Sequence, residues 1–244
     1  MIAPKTLDAL RRNAARGVCV LTGAGLSAES GIATFRDMGG LWEQHRLEEV
    51  ASPDAWAENP DLVNHFYNLR RAQLAEVEPN PGHRALADLE RAMGERLWLI
   101  TQNVDDLLER GGCERVFHMH GELRKVRCEN CGTVHRWEAD VDLVQSRCSS
   151  CGQAPLRPHI VWFGEVPFYL DDAIPRAISS AGVFISIGTS GVVYPAAGLV
   201  TAAKGAGAMA VEINLEPSAN AHLFDVQLSG KSGELLPQFV SLLM

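Results

Sequence analysis

The sequence predicts an α/β protein: a parallel sheet with helices on both faces, carrying a small cysteine-bearing module. Three observations predict it. Short apolar runs rich in β-branched residues (Val18-Cys19-Val20-Leu21, Leu97-Trp98-Leu99-Ile100, Val183–Ile187 and Met209–Ile213) alternate with stretches of helical periodicity. Each run ends in a polar or glycine cluster, and open α/β sheets bind ligands at those carboxyl ends. Two C-x-x-C pairs, Cys128/Cys131 and Cys148/Cys151, stand 16 residues apart, which is zinc-ribbon spacing.

Residues Pro4 to Ala15 place Leu7, Leu10 and Ala14 on one side of a helix. The run Val18–Leu21 is too short for a helix and reads as a buried strand. It opens into Gly23-Ala24-Gly25-Leu26-Ser27-Ala28, the G-x-G-x-x-A dinucleotide fingerprint, whose glycines let backbone amides approach a pyrophosphate at a helix N-terminus. In an ordinary dehydrogenase the second strand follows within ~30 residues. Here the next strand-like run is Leu97–Ile100, so a large insertion lies behind the turn.

Within that insertion, Ser52-Pro53 and Asn59-Pro60 each read as a cap residue followed by proline at the first helical position. The second of these helices is expected to run to about Val77, with Leu62, Phe66, Leu69 and Leu74 on its apolar face. Pro79-Asn80-Pro81-Gly82 breaks it, and a further helix is expected over His83 to Met93. After Leu97–Thr101 come Gln102-Asn103-Val104-Asp105, a short helix ended by Gly111-Gly112, and the strand-like Arg115-Val116-Phe117 leading into His118-Met119-His120-Gly121. The cysteine module is expected over 122–157 and the helical insertion over 36–82, with the remainder of 1–244 forming a single catalytic core. The charge-free segment Ala177 to Ala203 is interrupted by glycines and Pro195, so it reads as strand, loop and helix start rather than a membrane span. Val226-Gln227-Leu228 is a last short strand, and a terminal helix begins near Ser232. The carboxyl-end clusters Thr22–Gly25, Thr101–Asp105, Gly188–Ser190 and Asn214–Glu216 are expected to line one crevice.

A formal charge of −8 argues against a nucleic-acid binder. The N-terminus lacks a secretion signal, and a cytoplasmic location follows as the expectation. There, four thiolates at this spacing favour metal over disulfides, with no open position for water, so the zinc is expected to be structural and one per chain. A redox role for either pair is the rival, and His135 could replace one cysteine.

Taken together, Gly23-Ala24-Gly25-x-Ser27-x-x-x-Gly31-Ile32-x-x-Phe35-Arg36, Gln102-Asn103-Val104-Asp105, His120-Gly121, the two cysteine pairs, Phe163-Gly164-Glu165, Gly188-Thr189-Ser190 and Asn214 resemble the sirtuins, NAD-dependent protein lysine deacylases. The match runs in order over nearly the whole chain. The resemblance implies a Rossmann-like domain with a zinc and helical module, and NAD as a co-substrate rather than a hydride carrier. It implies that the acyl-lysine carbonyl oxygen attacks the nicotinamide ribose carbon, that nicotinamide leaves, and that O-acyl-ADP-ribose results. His120 would be the general base, and an imidazole titrating near neutrality suits that task. His118 is the internal control, expected to be dispensable. Asn103 and Asp105 would hold the ribose and the nicotinamide amide, with Gln102 and Val104 beside them. Gly23, Ala24, Gly25, Ser27, Ala28, Glu29, Ile32, Phe35, Arg36 and Trp42 would line the cofactor on one side. Gly188, Thr189, Ser190, Asn214, Leu215, Glu216 and Ser232 would line its phosphate and adenosine half. Val161, Phe163, Gly164, Glu165 and Val192 would clamp acyl-lysine peptides as an added strand.

Tyr67 and Arg70 lie three apart on a predicted helix and share a face. They resemble the Y-x-x-R pair of class III, desuccinylase-type sirtuins. An arginine can hold a carboxylate bidentately and a tyrosine hydroxyl can add a hydrogen bond, so the resemblance implies removal of succinyl, malonyl or glutaryl groups as well as acetyl. Arg71 is expected to point elsewhere. The expected state is a monomer without nucleic-acid or membrane partners. The alternatives are an NAD-dependent protein ADP-ribosyltransferase using the same site, a dehydrogenase, and a non-catalytic scaffold. Cys19 and Cys113 receive no role.

Overall fold

A computed structural model describes residues 2–32, 41–42 and 45–244. α1 (Pro4–Ala14) leads into β1 (Val18–Thr22) and the short α2 (Ala24–Ala28). The two-residue strands β2 (Leu41–Trp42) and β3 (His45–Arg46) precede α3 (Leu47–Val50), α4 (Pro53–Glu58) and α5 (Pro60–Gln73). Then come α6 (Pro81–Met93), β4 (Leu97–Thr101), α7 (Leu107–Arg110) and β5 (Val116–His118). β6 (Gly121–Cys128), β7 (Val134–Arg136) and β8 (Leu156–Ile160) make a separate antiparallel sheet. α8 (Ala173–Ser180), β9 (Val183–Ile187), α9 (Leu199–Gly205), β10 (Met209–Asn214), β11 (Val226–Ser229) and α10 (Ser232–Leu243) follow.

The main sheet has the order β11-β10-β9-β1-β4-β5, and every pair is parallel. The chain lays β4 and β5 on one side of β1, then crosses back to lay β9, β10 and β11 on the other. That reversal makes the β1/β9 boundary the topological switch point, where a crevice opens at the strand ends. All five residues of β1 are buried, as the central strand of a doubly covered parallel sheet must be. Val18 and Val20 pack into the layer of Leu86, Leu89 and Phe239, and Cys19 and Leu21 into the layer of Ile178, Phe184 and Val200. The expected α/β class is therefore the one observed.

Two elements differ from the sequence reading. α6 starts at Pro81 rather than His83, because Asn80-Pro81 repeats the cap-and-proline signature of the two preceding helices. The Asn80 side chain accepts from Gly82 N, and His83 Nδ1 accepts from Asn80 N. α5 stops at Gln73 rather than near Val77 because Arg110 takes the carbonyls of Leu74 and Val77, at 2.9 and 2.7 Å, and turns the chain away. Of the apolar face expected on this helix, Phe66 and Leu74 are buried and Leu62 is half-buried, and Leu69 is the exception. Leu69 is 49% exposed, while Val63, Phe66, Tyr67, Arg70 and Arg71 are buried. α3–α5 build a third apolar cluster in which Trp56, Val63, Phe66 and Tyr67 meet Leu107, Leu123, Ile160 and Trp162. The antiparallel sheet keeps only a small core of Val126, Val141 and Leu156 around the cysteines.

Candidate active site

The crevice begins with a backbone contact between two turns. Gly23 N donates to Ile187 O and Gly25 N to Gly188 O, both at 2.9 Å. A Cβ on Gly25 would lie 2.7 Å from Gly188 Cα, and one on Gly188, at φ +61°, would lie 2.4 Å from Leu26 N. The glycines are thus required for the turns after β1 and β9 to touch. The amides of Gly23 and Gly25, which the fingerprint reading aimed at a pyrophosphate, are engaged by this contact.

Ser27, fully buried, is the hub behind it. Its hydroxyl donates to Asp105 Oδ2 at 2.9 Å and accepts from Asn103 Nδ2 at 3.1 Å. Asn103 Nδ2 also donates to Gly23 O at 3.1 Å, and Asp105 Oδ1 accepts from Leu107 N two residues on, in the turn that leads into α7. Burial pushes the Asp105 carboxyl above its usual range. His83 completes the hub, and the sequence reading missed it. Its Nδ1 already accepts from Asn80, so Nε2 carries the proton and faces Ser27 Oγ at 3.4 Å. Burial pulls His83 down to about 4. The repeated Asn-Pro cap was the one signal that could have placed it.

His118, the last residue of β5, and His120, in the turn that follows, flank the fully buried Met119. His120 Nδ1 lies 3.2 Å from Gln102 O. A carbonyl only accepts, so Nδ1 carries the proton and Nε2 keeps its lone pair. Burial lowers the His120 pKa, and the Gln102 bond offsets this in part. His118, expected to be dispensable for the chemistry, is held by two contacts. It is buried, its Nδ1 faces Asn103 O at 3.2 Å, and its Nε2 faces Glu109 Oε1 at 2.7 Å.

On the β9–β10 side, Asn214 Nδ2 donates to Thr189 O at 2.7 Å, the Thr189 hydroxyl meets Ser186 Oγ at 2.9 Å, and Ser190 O accepts from Ala219 N. Leu215 and Glu216 are exposed, Ala28 and Val104 are half-buried and Ile32 is buried. Glu29 accepts from Ser232 Oγ and Gly233 N at 3.0 and 2.8 Å, so these two expected cofactor residues join α2 to the start of α10. Phe35 and Arg36 lie outside the described residues, as does the side chain of Trp42.

Beyond His120 the chain enters the third apolar cluster. Val161 N donates to His120 O at 2.9 Å and Phe163 N to Ala51 O at 3.0 Å. Phe163 and Val192 expose their side chains, and Gly164 has φ +92°. Glu165 is engaged within the protein: Arg157 grips it bidentately at 3.0 and 2.9 Å. Partial burial would push its carboxyl up, but Arg157 and the Trp162 amide hold it below its usual range. The Arg157 guanidinium also lies 3.6 Å from the Trp162 ring centroid, and Trp162 Nε1 donates to the Tyr67 hydroxyl at 2.9 Å. Tyr67 and Arg70 are both buried on one face of α5. Burial pushes the Tyr67 pKa up, so its hydroxyl stays a donor. Arg71 does point elsewhere, to Leu123 O at 2.9 Å.

Helix α5 is fastened to the cysteine module by a reciprocal pair. Asn68 Oδ1 accepts from Val141 N at 2.9 Å while its Nδ2 donates to Val141 O at 3.0 Å, and Asn64 Nδ2 adds a bond to the same carbonyl at 2.7 Å. In the module the four cysteine sulfurs all lie within 4.8 Å of one another. The Cys128–Cys151 and Cys131–Cys148 sulfurs are 3.6 Å apart. A tetrahedron with ~2.3 Å Zn–S bonds has edges of ~3.8 Å, so the set fits one zinc. His135 does not replace a cysteine in this cluster; its Nε2 lies 3.1 Å from Cys148 Sγ.

The Sir2 family pattern matches residues 23–195 of the chain. An NAD-dependent protein deacylase of Salmonella typhimurium is 54% identical over 226 residues, covering 91% of this chain and 82% of that protein. One of Escherichia coli strain K12 is 53% identical over 230 residues, covering 93% and 82%. Among solved structures, a Sir2 homologue in complex with NAD is 40% identical with a TM-score of 0.89, covering 100% of this chain and 94% of that one. A Sir2 protein bound to a myristoylated histone peptide is 33% identical with a TM-score of 0.71, covering 97% and 96%.

Proposed function

The chain belongs to the Sir2 family, and from that premise we propose that it is an NAD-dependent protein lysine deacylase that removes acetyl and succinyl groups, and malonyl or glutaryl groups by the same pocket. The observation that carries this reading is the pairing of a lone-pair nitrogen with a dinucleotide crevice. His120 Nε2 keeps its lone pair beside the Gln102–Asp105 turn, which follows β4 and is tied through Asn103 to the glycine turn after β1.

NAD supplies the ADP-ribosyl group to which the acyl group passes. The chain's own groups prepare that transfer. The Gly23–Gly188 contact shapes the crevice, and Asn103 and Asp105, locked through Ser27, present a fixed polar wall to the ribose and nicotinamide amide. Gln102 lies alongside. His120 takes the ribose hydroxyl proton onto Nε2 while its Nδ1–H stays on the Gln102 carbonyl, so proton transfer needs no ring motion. Thr189, Ser190 and Asn214 serve the phosphate and adenosine half. Val161, Phe163, Gly164 and Val192 flank an acyl-lysine peptide, and the Arg157-bound Glu165 shapes that wall from behind.

The buried Tyr67–Arg70 face supports carboxylate recognition. A phenol fixed by Trp162 and a buried guanidinium on the same helix face, bonded to Gln73 Oε1 at 3.2 Å, suit the end of a succinyl chain. The same proposal divides the chain into a Rossmann-like core, a helical insertion and a zinc module, and takes the enzyme as a cytoplasmic monomer. The test is mass-spectrometric turnover of matched acetyl-lysine and succinyl-lysine peptides with and without NAD, reading nicotinamide in the same tube. NAD-dependent loss of both acyl groups supports the reading. Loss of acetyl alone removes the carboxylate pocket, and protein-bound ADP-ribose without deacylation replaces the reaction.

A further inference from the structure

His118 sits two residues before the proposed base, and the deacylase chemistry as derived above gives it no part. We infer that His118 is a positioning residue for this reaction: as an imidazolium it holds the Asn103 carbonyl with one N–H and the Glu109 carboxylate with the other, fixing the turn that carries Gln102, Asn103 and Asp105. The inference rests on the deacylase reading and on His120 as its base.

The geometry leaves little choice of protonation state. Both ring nitrogens of His118 face oxygens that accept: Asn103 O at 3.2 Å and Glu109 Oε1 at 2.7 Å. A neutral ring would set one lone pair against one of those oxygens. The short contact to Glu109 is what a charge-assisted bond gives. The two histidines therefore grip consecutive carbonyls of one turn, His120 that of Gln102 and His118 that of Asn103. Both stand on the short segment where β5 ends and turns, which Met119, bonded through its amide to Thr101 O, holds against β4.

The surroundings favour the charge. Glu109 faces His118 from α7, Glu122 from β6 and buried Asp105 from the turn itself, while Lys125 is paired with Glu122. Burial opposes protonation of His118, but the Glu109 bond and the nearby carboxylates outweigh it, so its pKa rises while that of His120 falls. One strand end thus carries a charged histidine that holds and a neutral histidine that reacts. The stabilisation of the turn is complete below the ordinary histidine pKa and is lost as pH rises through the raised value.

The experiment uses the full zinc-loaded chain. Nitrogen-15 NMR of the resting protein follows the rings of His118 and His120 with pH. In parallel, kcat/KM for NAD-dependent deacetylation of an acetyl-lysine peptide is measured against pH for wild type, Glu109→Gln and His118→Phe. Both nitrogens of His118 are expected to be protonated at neutral pH, and Glu109→Gln to lower that titration. The alkaline limb of kcat/KM is expected to move down with it, while the acid limb set by His120 stays. His118→Phe is expected to lower kcat about 10- to 100-fold, the scale of a misplaced turn. A neutral His118 at pH 7, or an alkaline limb identical in wild type and Glu109→Gln, overturns the inference. Glu109→Gln and the wild-type titration decide the matter even where His118→Phe fails to fold. Wild-type protein that titrates as expected but shows no NAD-dependent turnover sinks the deacylase reading instead.

Discussion

The crevice proposed for NAD and the face proposed for the acyl group are built in opposite ways. The crevice is made of backbone: Gly23 and Gly25 touch Gly188, flush strand ends set Thr22 level with Thr101 and Ile187, and the polar side chains lock one another through Ser27. The acyl face is made of side chains on one helix, held in place by latches to other modules. Asn64 and Asn68 bind Val141, Arg71 binds Leu123 O, and Trp162 binds Tyr67. A site made by sheet topology changes only if the sheet changes. A site hung on a helix by a few latches can be altered by changing single residues, which suits a reaction shared by one family across different acyl groups.

The largest test of this contrast is metal removal. Zinc on four thiolates contributes on the order of 10 kcal/mol to a small module, and the core of β6–β8 is too small to stand in for it. Chelation should therefore melt the module and loosen α5 through Val141, while the parallel sheet keeps its own transition. Calorimetry with zinc analysis reads this as a transition of smaller enthalpy that belongs to the parallel sheet alone. A single unchanged transition on complete zinc loss would mean that the module stands without metal.

Next comes the base. His120→Ala should lower turnover of every acyl peptide about 10³-fold, with zinc content and melting temperature preserved, because its ring makes one modest bond to Gln102 O. Equal loss for acetyl and succinyl substrates marks a residue of the shared crevice. A loss confined to one acyl group would place it in the acyl face.

A smaller effect separates the hub from both. His83 is buried as the neutral ring, pulled down to about 4. Its contribution is complete above the ordinary pKa of ~6.5 and is lost as pH falls towards the folded value, on the order of 3 kcal/mol at most. Urea unfolding between pH 7 and pH 4 should show that loss in wild type and a shallower one in His83→Gln.

Much of the crevice was readable because local rules govern it. Buried parallel strands are continuous apolar runs, and caps with proline mark helix starts. The C-x-x-C spacing likewise found its cluster. What escaped reading depends on partners far along the chain. The buried face of α5 is chosen by Trp162 and Leu123, so Leu69 lies outside although its periodicity fits. The placing of His83 against Ser27, the pairing of His118 with Glu109 and the engagement of Glu29 by α10 each join residues that no spacing connects.

The measurement closest to the central claim is the ratio of kcat/KM for succinyl-lysine to acetyl-lysine peptides, in wild type and in Arg70→Met. Losing a buried guanidinium partner for a carboxylate costs about 100-fold, so the ratio should fall by about that factor while deacetylation changes only a few-fold. A fall of both activities together would make Arg70 a structural part of α5 and leave the acyl group unselected by this helix.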